Sequence, residues 1–495
     1  MIATLKPYPT YKDSGVPWLG EVPATWKIVR NGSLFTQRKE TGFGDLPILE
    51  VSLKTGVRIR NFDGNGRKQV MADRGKYKRA RRGDLAYNMM RMWQGAIGLA
   101  PVDGLVSPAY VVARPFPAVE PRFFEYLFRT DAYMGEVDKF SHGIVKDRNR
   151  LYWEDFKQIP SPVPPTQEQA AIVRFLDHAD RRIQRYIRAK LKLIKLLEEQ
   201  EQAIIHRAVT RGLPSTGSGQ ATPNVPACAA EPSGAAGRRL KPSGVEWLGD
   251  VPEHWEVAAL RHRYSQCLGK MLDSKRITGS HSLSYLRNTD VQWDRVNIED
   301  LPAMDIPPAE YGRYTVQHGD LLVCEGGEVG RCAIWSGELS VCGFQKALHR
   351  LRPLSAARDV PRFMYYALRA AAKGNAFNDG HLSTIAHLTG DKLRAHRFPF
   401  PPVAEQESLV SFLDAALKLV DQAISTAYHE ISLLREYRTR LIADVVTGKV
   451  DVREAAARLP EEAEEPEPLD EADVLTDAEE DTADERDAAP EEAEA

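Results

Sequence analysis

Residues 14–26 read SGVPWLGEVPATW, and residues 243–255 read SGVEWLGDVPEHW. The two stretches share the frame SGVxWLGxVPxxW, with nine of thirteen positions identical, two tryptophans among them. A second pair of anchors follows. Pro164-Pro165-Thr166-Gln167-Glu168-Gln169 answers Pro401-Pro402-Val403-Ala404-Glu405-Gln406, and each runs on to Phe-Leu-Asp at 175–177 and 412–414. Val209-Thr210 and Val446-Thr447 close the two copies. The first anchors lie 229 residues apart and the later ones 237, so the second copy has gained eight residues in between. A repeat on this scale sets the domain plan before any element is assigned.

Between the anchors the copies agree only in islands. Gly83-Asp84-Leu85 matches Gly319-Asp320-Leu321, and Ala113-Arg114-Pro115 corresponds to Leu351-Arg352-Pro353. Alike ends imply one task done twice, such as docking two copies of one partner. Unlike middles on a common scaffold imply two different targets. Each copy opens with a mixed segment punctuated by Gly and Pro, with short strand-like runs at 47–53, 109–113 and 321–324. One helix is expected after each Arg-Pro island, over 121–129 and 361–369, and a long helix ends each copy.

The long helices carry a seven-residue rhythm. In the second copy Leu413, Val420, Ala427, Leu434 and Leu441 recur, beside Leu417, Ile424, Ile431, Arg438 and Val445, with Arg438 alone polar. The first copy offers Leu176, Ile183, Lys190, Leu197 and Ile204, beside Ile187, Ile194 and Ala208, and is interrupted by Asp180 and Glu201. Each helix would be about 60 Å long at 1.5 Å per residue. Two such helices in one chain most simply pack on each other.

At 495 residues the chain is too long for one core. No run of eighteen apolar residues suggests a membrane span, and the first residues, MIATLKPYPTYKDSGVPW, show no secretory signal. Five cysteines without a CxxC pair read as reduced thiols in a cytoplasmic protein, and Cys324, Cys332 and Cys342 as small buried hydrophobes. The net charge of −3 hides a split. Residues 460–495 hold 18 Asp and Glu against Arg486 alone, a net of −17, leaving +14 on the rest. That surplus suits a polyanionic partner. Residues 212–239, rich in Gly, Ala, Pro and Ser, read as a linker, and the acidic tail as disordered.

Catalytic motifs are missing. The Gly-Lys pairs at 75, 269 and 448 lack the upstream glycine of a phosphate-binding loop; no NPPY-like tetrapeptide, HExxH or Cys/His cluster occurs. Glu325 and Glu328 lack the third ligand and the lysine a nuclease site needs. What remains is basic and polar material at loop-like positions, from side chains that hold phosphates and read base edges. Lys76, Lys78, Arg79, Arg91 and Gln94 are the DNA-contact candidates of the first copy; Arg287, Asn288, Gln345, Lys346 and His381 are those of the second. A stand-alone nuclease or methyltransferase, a scaffold that never touches DNA, and an RNA binder are the competing readings.

The SGVxWLGxVPxxW frame, the PPxxEQ–FLD start of each long helix and the stretch GFQKALHRLRP at 343–353 resemble the specificity subunit of type I restriction–modification systems. The resemblance runs from residue 11 to about 450. It implies an α/β chain of two mixed α/β target-recognition domains related by the internal repeat, separated by two long helices packed as an antiparallel coiled coil. The expected boundaries are 1–165 and 240–402 for the recognition domains, 166–212 and 403–450 for the helices, 213–239 for a flexible linker and 451–495 for a disordered acidic tail. It further implies that each domain reads one half of a split, asymmetric double-stranded DNA site. The chain itself would bind no cofactor and catalyse nothing. Two modification (methyltransferase) subunits and restriction subunits would join it, using S-adenosylmethionine, ATP and Mg2+. Leu176, Ile183, Ile194, Leu197, Leu413, Ile424, Ile431 and Leu434 are then the helix seam or docking positions. Trp18 and Trp247 either join in docking or staple the N-terminal arm locally.

Overall fold

The computed structural model describes residues 5–53, 55–60, 74–143, 149–213, 239–272, 279–377 and 387–460. The chain divides into two compact units. The first comprises Met1–Leu191 with Tyr428–Ala495, the second Lys192–Ala427. Both long helices, Thr166–Arg211 and Val403–Val446, therefore contribute to both units.

In the first unit a four-stranded antiparallel sheet runs in the order Phe35–Arg38, Tyr110–Pro115, Leu85–Asn88, Ile97–Leu99. Leu85, Ala86 and Tyr87 are all buried in sequence, because the sheet is covered on both faces and alternation gives way to an unbroken apolar run. The helix Pro121–Phe128 starts with Pro in its first turn and with the Glu120 side chain accepting from the Arg122 amide. It packs Phe123, Phe124, Leu127 and Phe128 into a core shared with Trp26, Phe35, Tyr133 and Phe156. Ile172, Phe175 and Leu176 from the first long helix and Leu441, Val445 and Val446 from the second complete that core. A second helix, Asp131–Phe140, follows at once. The sequence reading passed over it, although Thr130 is a good N-cap, accepting from the Tyr133 amide.

The second unit contains a sheet in the order Tyr264–Leu268, Leu348–Pro353, Leu321–Cys324, Cys332–Ile334, again antiparallel throughout. The helix Pro361–Lys373 packs Phe363, Met364, Tyr365, Tyr366 and Leu368 against Trp255, Phe398 and Phe400. Ile205, Ala208 and Val209 of the first long helix meet Leu409, Leu413 and Leu417 of the second in the same core. A further small sheet joins Ser282–Leu286 antiparallel to Ala303–Asp305 and parallel to Gly343–Phe344.

The repeated frame is a hairpin in each unit. Tyr11–Asp13 pairs with Glu21–Pro23, and Leu240–Pro242 with Asp250–Pro252. Gly15, Gly20, Gly244 and Gly249 all sit at positive φ, between +59° and +68°, which glycine alone adopts without strain. Ser14 Oγ and Ser243 Oγ each accept from the amide two residues on, at 3.1 and 3.0 Å, holding the turn.

Along the long helices, Leu176, Ile183, Ile187, Ile194, Leu413, Leu417, Val420, Ala427, Ile431 and Leu441 are buried, while Leu197, Ile424 and Leu434 are half-buried. Within the first unit the polar interruptions of the two rhythms meet. Arg438 pairs with Asp180, and Lys190 with Glu430 at 2.5 Å, so the segments run in opposite directions there. Within the second unit Glu201 takes the Arg369 guanidinium at 2.6 Å.

One expected boundary is overturned. A disordered tail from residue 451 is contradicted by the short helix Arg453–Ala457, with Val452 and Ala456 buried in the first core. The apolar spacing V-x-x-x-A supplies enough burial to order this segment. The remainder of the tail, residues 461–495, and the linker residues 214–238 lie outside the described residues. Among the described residues, no helix is long and apolar enough to cross a membrane.

Candidate nucleic-acid interface

The anchors that betray the repeat are spent inside each unit. In the first, Trp26 Nε1 and the Tyr8 hydroxyl both donate to Glu168 Oε1, each at 2.7 Å. Gln169 Nε2 donates to the Pro164 carbonyl at 2.8 Å, while its Oε1 accepts from the Glu120 amide at 2.9 Å. Asp177 accepts from Tyr126 at 2.5 Å and from Arg122 Nε at 3.2 Å. In the second unit Glu405 accepts from Trp255 Nε1 at 3.1 Å and His254 Nε2 at 2.8 Å. Gln406 bonds the Pro401 carbonyl at 2.8 Å and the Val360 amide at 2.9 Å, and Asp414 bonds Tyr366 and Arg362 Nε at 2.5 and 3.0 Å. Each Glu-Gln-x₇-Asp series thus nails the start of a long helix to the hairpin and to the first turn of the short helix. Trp18 packs edge-on to Tyr133 at 5.5 Å, and Trp247 stacks on His396 at 6.0 Å. Both tryptophans thus have ring partners within their own unit.

The Gly-Asp-Leu islands are turns with a buried charge. Gly83 and Gly319 adopt φ of +87° and +85°. Asp84 accepts from Arg38 Nε at 2.6 Å, and Asp320 accepts from Arg352 at 2.7 Å through both oxygens. The arginine comes from the edge strand in one unit and from the neighbouring central strand in the other, which is why the pairing left no alignment signal.

Around Asp84 the first unit presents a basic edge. Arg79 donates its amide to the Glu40 carbonyl at 2.8 Å, and Gly42 donates to the Gly75 carbonyl at 3.0 Å, joining residues 39–46 to 74–82. Lys39, Arg74, Lys76, Lys78, Arg79, Arg81 and Arg82 gather there against Glu40, Asp45 and Asp103. They are not equivalent. Lys76 is exposed at the end of a short 3-10 turn. Lys78 is half-buried and donates to the carbonyls of Pro108 and Tyr110 at 2.6 and 2.7 Å; burial, with Lys39 nearby, lowers its pKa. Arg79 pairs with Asp103 at 2.7 Å and lies 4.6 Å over the Phe43 ring. Lys78 and Arg79 therefore brace the edge, and exposed Lys39, Lys76 and Arg82 are presented by it. Arg91 and Gln94 lie elsewhere, past the opposite end of the strand Leu85–Asn88, around the 3-10 turn Met92–Gln94. Gln94 is exposed and Arg91 half-buried.

The second unit also sorts its candidates. Arg287 folds back on Asp290 at 2.8–2.9 Å, and Asn288 donates to the Gly326 carbonyl at 2.8 Å, its own oxygens accepting from Arg331. Both side chains hold loops. Gln345 and Lys346 flank a tight crossing with residues 269–270. A Cβ on Gly269 would stand 2.2 Å from the Gln345 carbonyl, so glycine is required. Lys346, exposed, donates its amide to the Lys270 carbonyl at 3.0 Å. Lys270 and Arg313 lie over the Tyr314 ring at 5.6 and 5.2 Å. Lys270 also pairs with Glu310, which leaves Arg313 as the exposed cation of the two, and no local sequence signal marks it. His381 lies outside the described residues.

Residues that suggested chemistry have structural uses. Glu328 accepts from Trp293 at 2.8 Å and also from Lys373. Cys324, Cys332 and Cys342 are buried, and burial raises their thiols, Cys324 to about 11 and Cys342 to about 12. His349, in the GFQKALHRLRP stretch, is fully buried between the Gln266 amide at 2.8 Å and the Leu388 carbonyl at 2.7 Å. Burial lowers its pKa, and a neutral ring protonated at Nε2 satisfies both neighbours. Among the described residues no group of three or more His, Cys, Asp or Glu could hold a metal ion.

Residues 281–429, from the small sheet of the second unit into the second long helix, match the family model described as type I restriction modification DNA specificity domain. Over those residues the chain is similar to type I specificity domains. A curated relative, the specificity subunit of the type I restriction enzyme EcoBI from Escherichia coli, is 27% identical over 139 residues, which is 28% of this chain. The matched stretch likewise spans only 28% of that relative's length. Among solved structures, a chain from a study of complex assembly and conformational transition in the type I restriction–modification system matches at a TM-score of 0.64 and 17% identity. It covers 86% of this chain and 98% of that one. An HsdS subunit from Thermoanaerobacter tengcongensis matches over 86% of this chain and 98% of that one, at a TM-score of 0.49 and 17% identity. The resemblance drawn from the repeated anchors is borne out, and so is a mixed α/β fold of this kind.

Proposed function

We propose that the chain is the DNA-sequence specificity subunit of a type I restriction–modification complex. Each unit reads one half of a bipartite, asymmetric double-stranded site. Two modification subunits and the restriction subunits assemble on the chain and supply the chemistry with S-adenosylmethionine, ATP and Mg2+, in the cytoplasm. The recognition domains are residues 1–165 and 240–402. The two long helices, at 166–212 and 403–450, pack antiparallel as a coiled coil and set the unread length between half-sites.

One observation carries this reading. The same strand order recurs on the same buried anchors, while the basic edges beside it differ in every presented side chain. Lys39, Lys76 and Arg82 stand in one unit, and Arg313 and Lys346 in the other, where half-buried Lys270 is taken by Glu310. A shared scaffold with dissimilar edges is what two half-sites of different sequence require. Phosphate contacts from these cations supply most of the affinity and a steep salt dependence. Sequence is read by loop side chains in the major groove.

The test is methylome sequencing of cells expressing the chain with its modification subunit. A split motif methylated on both strands is expected, and exchanging residues 240–402 for those of another specificity subunit should change one half alone. Methylation of a continuous motif, or a change in both halves, would refute the assignment.

A further inference from the structure

The first unit has a groove of about 730 Å³ along its long helices that its own core leaves unfilled. Its floor is apolar, with Ile183 and Leu434, and its walls are Tyr186 and Tyr437, which stay 54% and 41% exposed. Lys6 and Arg182 stand exposed on the rim. The rim's acids are already matched, Asp451 to Arg453 at 2.6 Å and Glu454 to Arg458. The unmatched charge of the groove is therefore positive.

The last described residues end at this groove. Leu459 lines it, and Arg174 Nη2 donates to the carbonyls of Leu459 and Pro460 at 2.6 and 3.1 Å. Arg174, His178 and Arg182 follow one another at four-residue steps, so they share one helix face leading from that exit into the groove. Residues 461–495, which lie beyond the described residues, carry 18 Asp and Glu and one Arg. Their few large apolar side chains are Leu469, Val474 and Leu475.

We infer that the acidic tail docks back into this groove of its own unit, its carboxylates on the Arg174–Arg182 face and Lys6, its Leu469–Leu475 stretch on the tyrosine walls. The sign of the charge matches, the apolar residues have an apolar floor to cover, and the tether begins at the groove's edge. Leu469 follows Pro460 by nine residues, which span about 30 Å when extended. An attachment that short keeps the local concentration of tail in the millimolar range, so weak contacts suffice.

Zero-length carbodiimide cross-linking of the full chain at low salt, read by mass spectrometry, tests this. Lys6 should join tail carboxylates within one chain, roughly fivefold more than exposed Lys27 of the same unit. Arg182→Glu should reduce that preference about fivefold, as expected for reversing one exposed charge. A tail variant with Leu469→Ser, Val474→Ser and Leu475→Ser keeps every carboxylate and should also lose the preference. Cross-links led by Lys39 or Lys76 would place the tail on the basic edge and overturn the inference. So would cross-links between chains that rise with concentration, or a preference unchanged in either variant.

Discussion

Replacing Glu168 by Ala is the sharpest test of how the first unit is held. Glu168 is 6% exposed and takes two hydrogen bonds of 2.7 Å, from Trp26, which is fully buried, and Tyr8, which is 5% exposed. Alanine leaves both donors dry and unpartnered, at about 1–3 kcal/mol each, so a loss of about 2–5 kcal/mol is expected for this unit. Glu168→Gln keeps an acceptor oxygen and should cost about 1 kcal/mol. The second unit provides the contrast. Glu405 binds one buried donor, Trp255, and the half-exposed ring of His254, which water can serve once the carboxylate is gone. Glu405→Ala should therefore cost roughly half as much as Glu168→Ala. A chain of two units need not unfold in one step, so the measurement is native-state hydrogen exchange along a denaturant series. The strand pair Lys27–Arg30 with Pro160–Val163 reports the first unit, and Glu256–Ala259 with Arg397–Phe400 reports the second. A loss below about 1 kcal/mol for Glu168→Ala, or one no larger than for Glu405→Ala, would refute the reasoning.

Lys76→Ala should weaken DNA binding and lower the slope of log affinity against log salt by about 0.9, the share of one phosphate contact. Lys78→Met should instead lower the melting temperature, because two carbonyls lose their donor; an unchanged melting temperature with a reduced salt slope would reverse these roles. Arg438→Leu strands a partly buried Asp180 and should cost about 1–2 kcal/mol, while adding Asp180→Leu should recover most of it in a double-mutant cycle; simple additivity would count against the pairing. His396 packs 4.9 Å from both Phe377 and Phe398, and burial pushes its pKa down to about 4. The unfolded chain takes up this proton first, at about 6.5. Stability of the second unit is thus full above that value and falls toward pH 4, by at most about 3 kcal/mol. His396→Phe should flatten that acid limb, and an unchanged limb in urea titrations from pH 7 to 4 would exclude His396 as its source.

Features that are local or duplicated were legible along the chain. The helix after each Arg-Pro island and the seven-residue apolar rhythm follow from backbone geometry within a few residues, and two copies of the anchors exposed the repeat. Residue types also pointed to the basic edge around Lys76. Which polar side chains face outward was decided only by tertiary structure. Lys78, Arg79, Arg287 and Asn288 look as available as Lys76 when read along the chain, yet they are bound to Pro108, Asp103, Asp290 and Gly326. Lys270, read along the chain only as part of a Gly-Lys pair, meets Arg313 at Tyr314 because two distant segments pack there. Apolar periodicity is a property of one helix or strand. The partner of a long polar side chain lies wherever packing brings a distant carbonyl or carboxylate, and no local pattern encodes that distance.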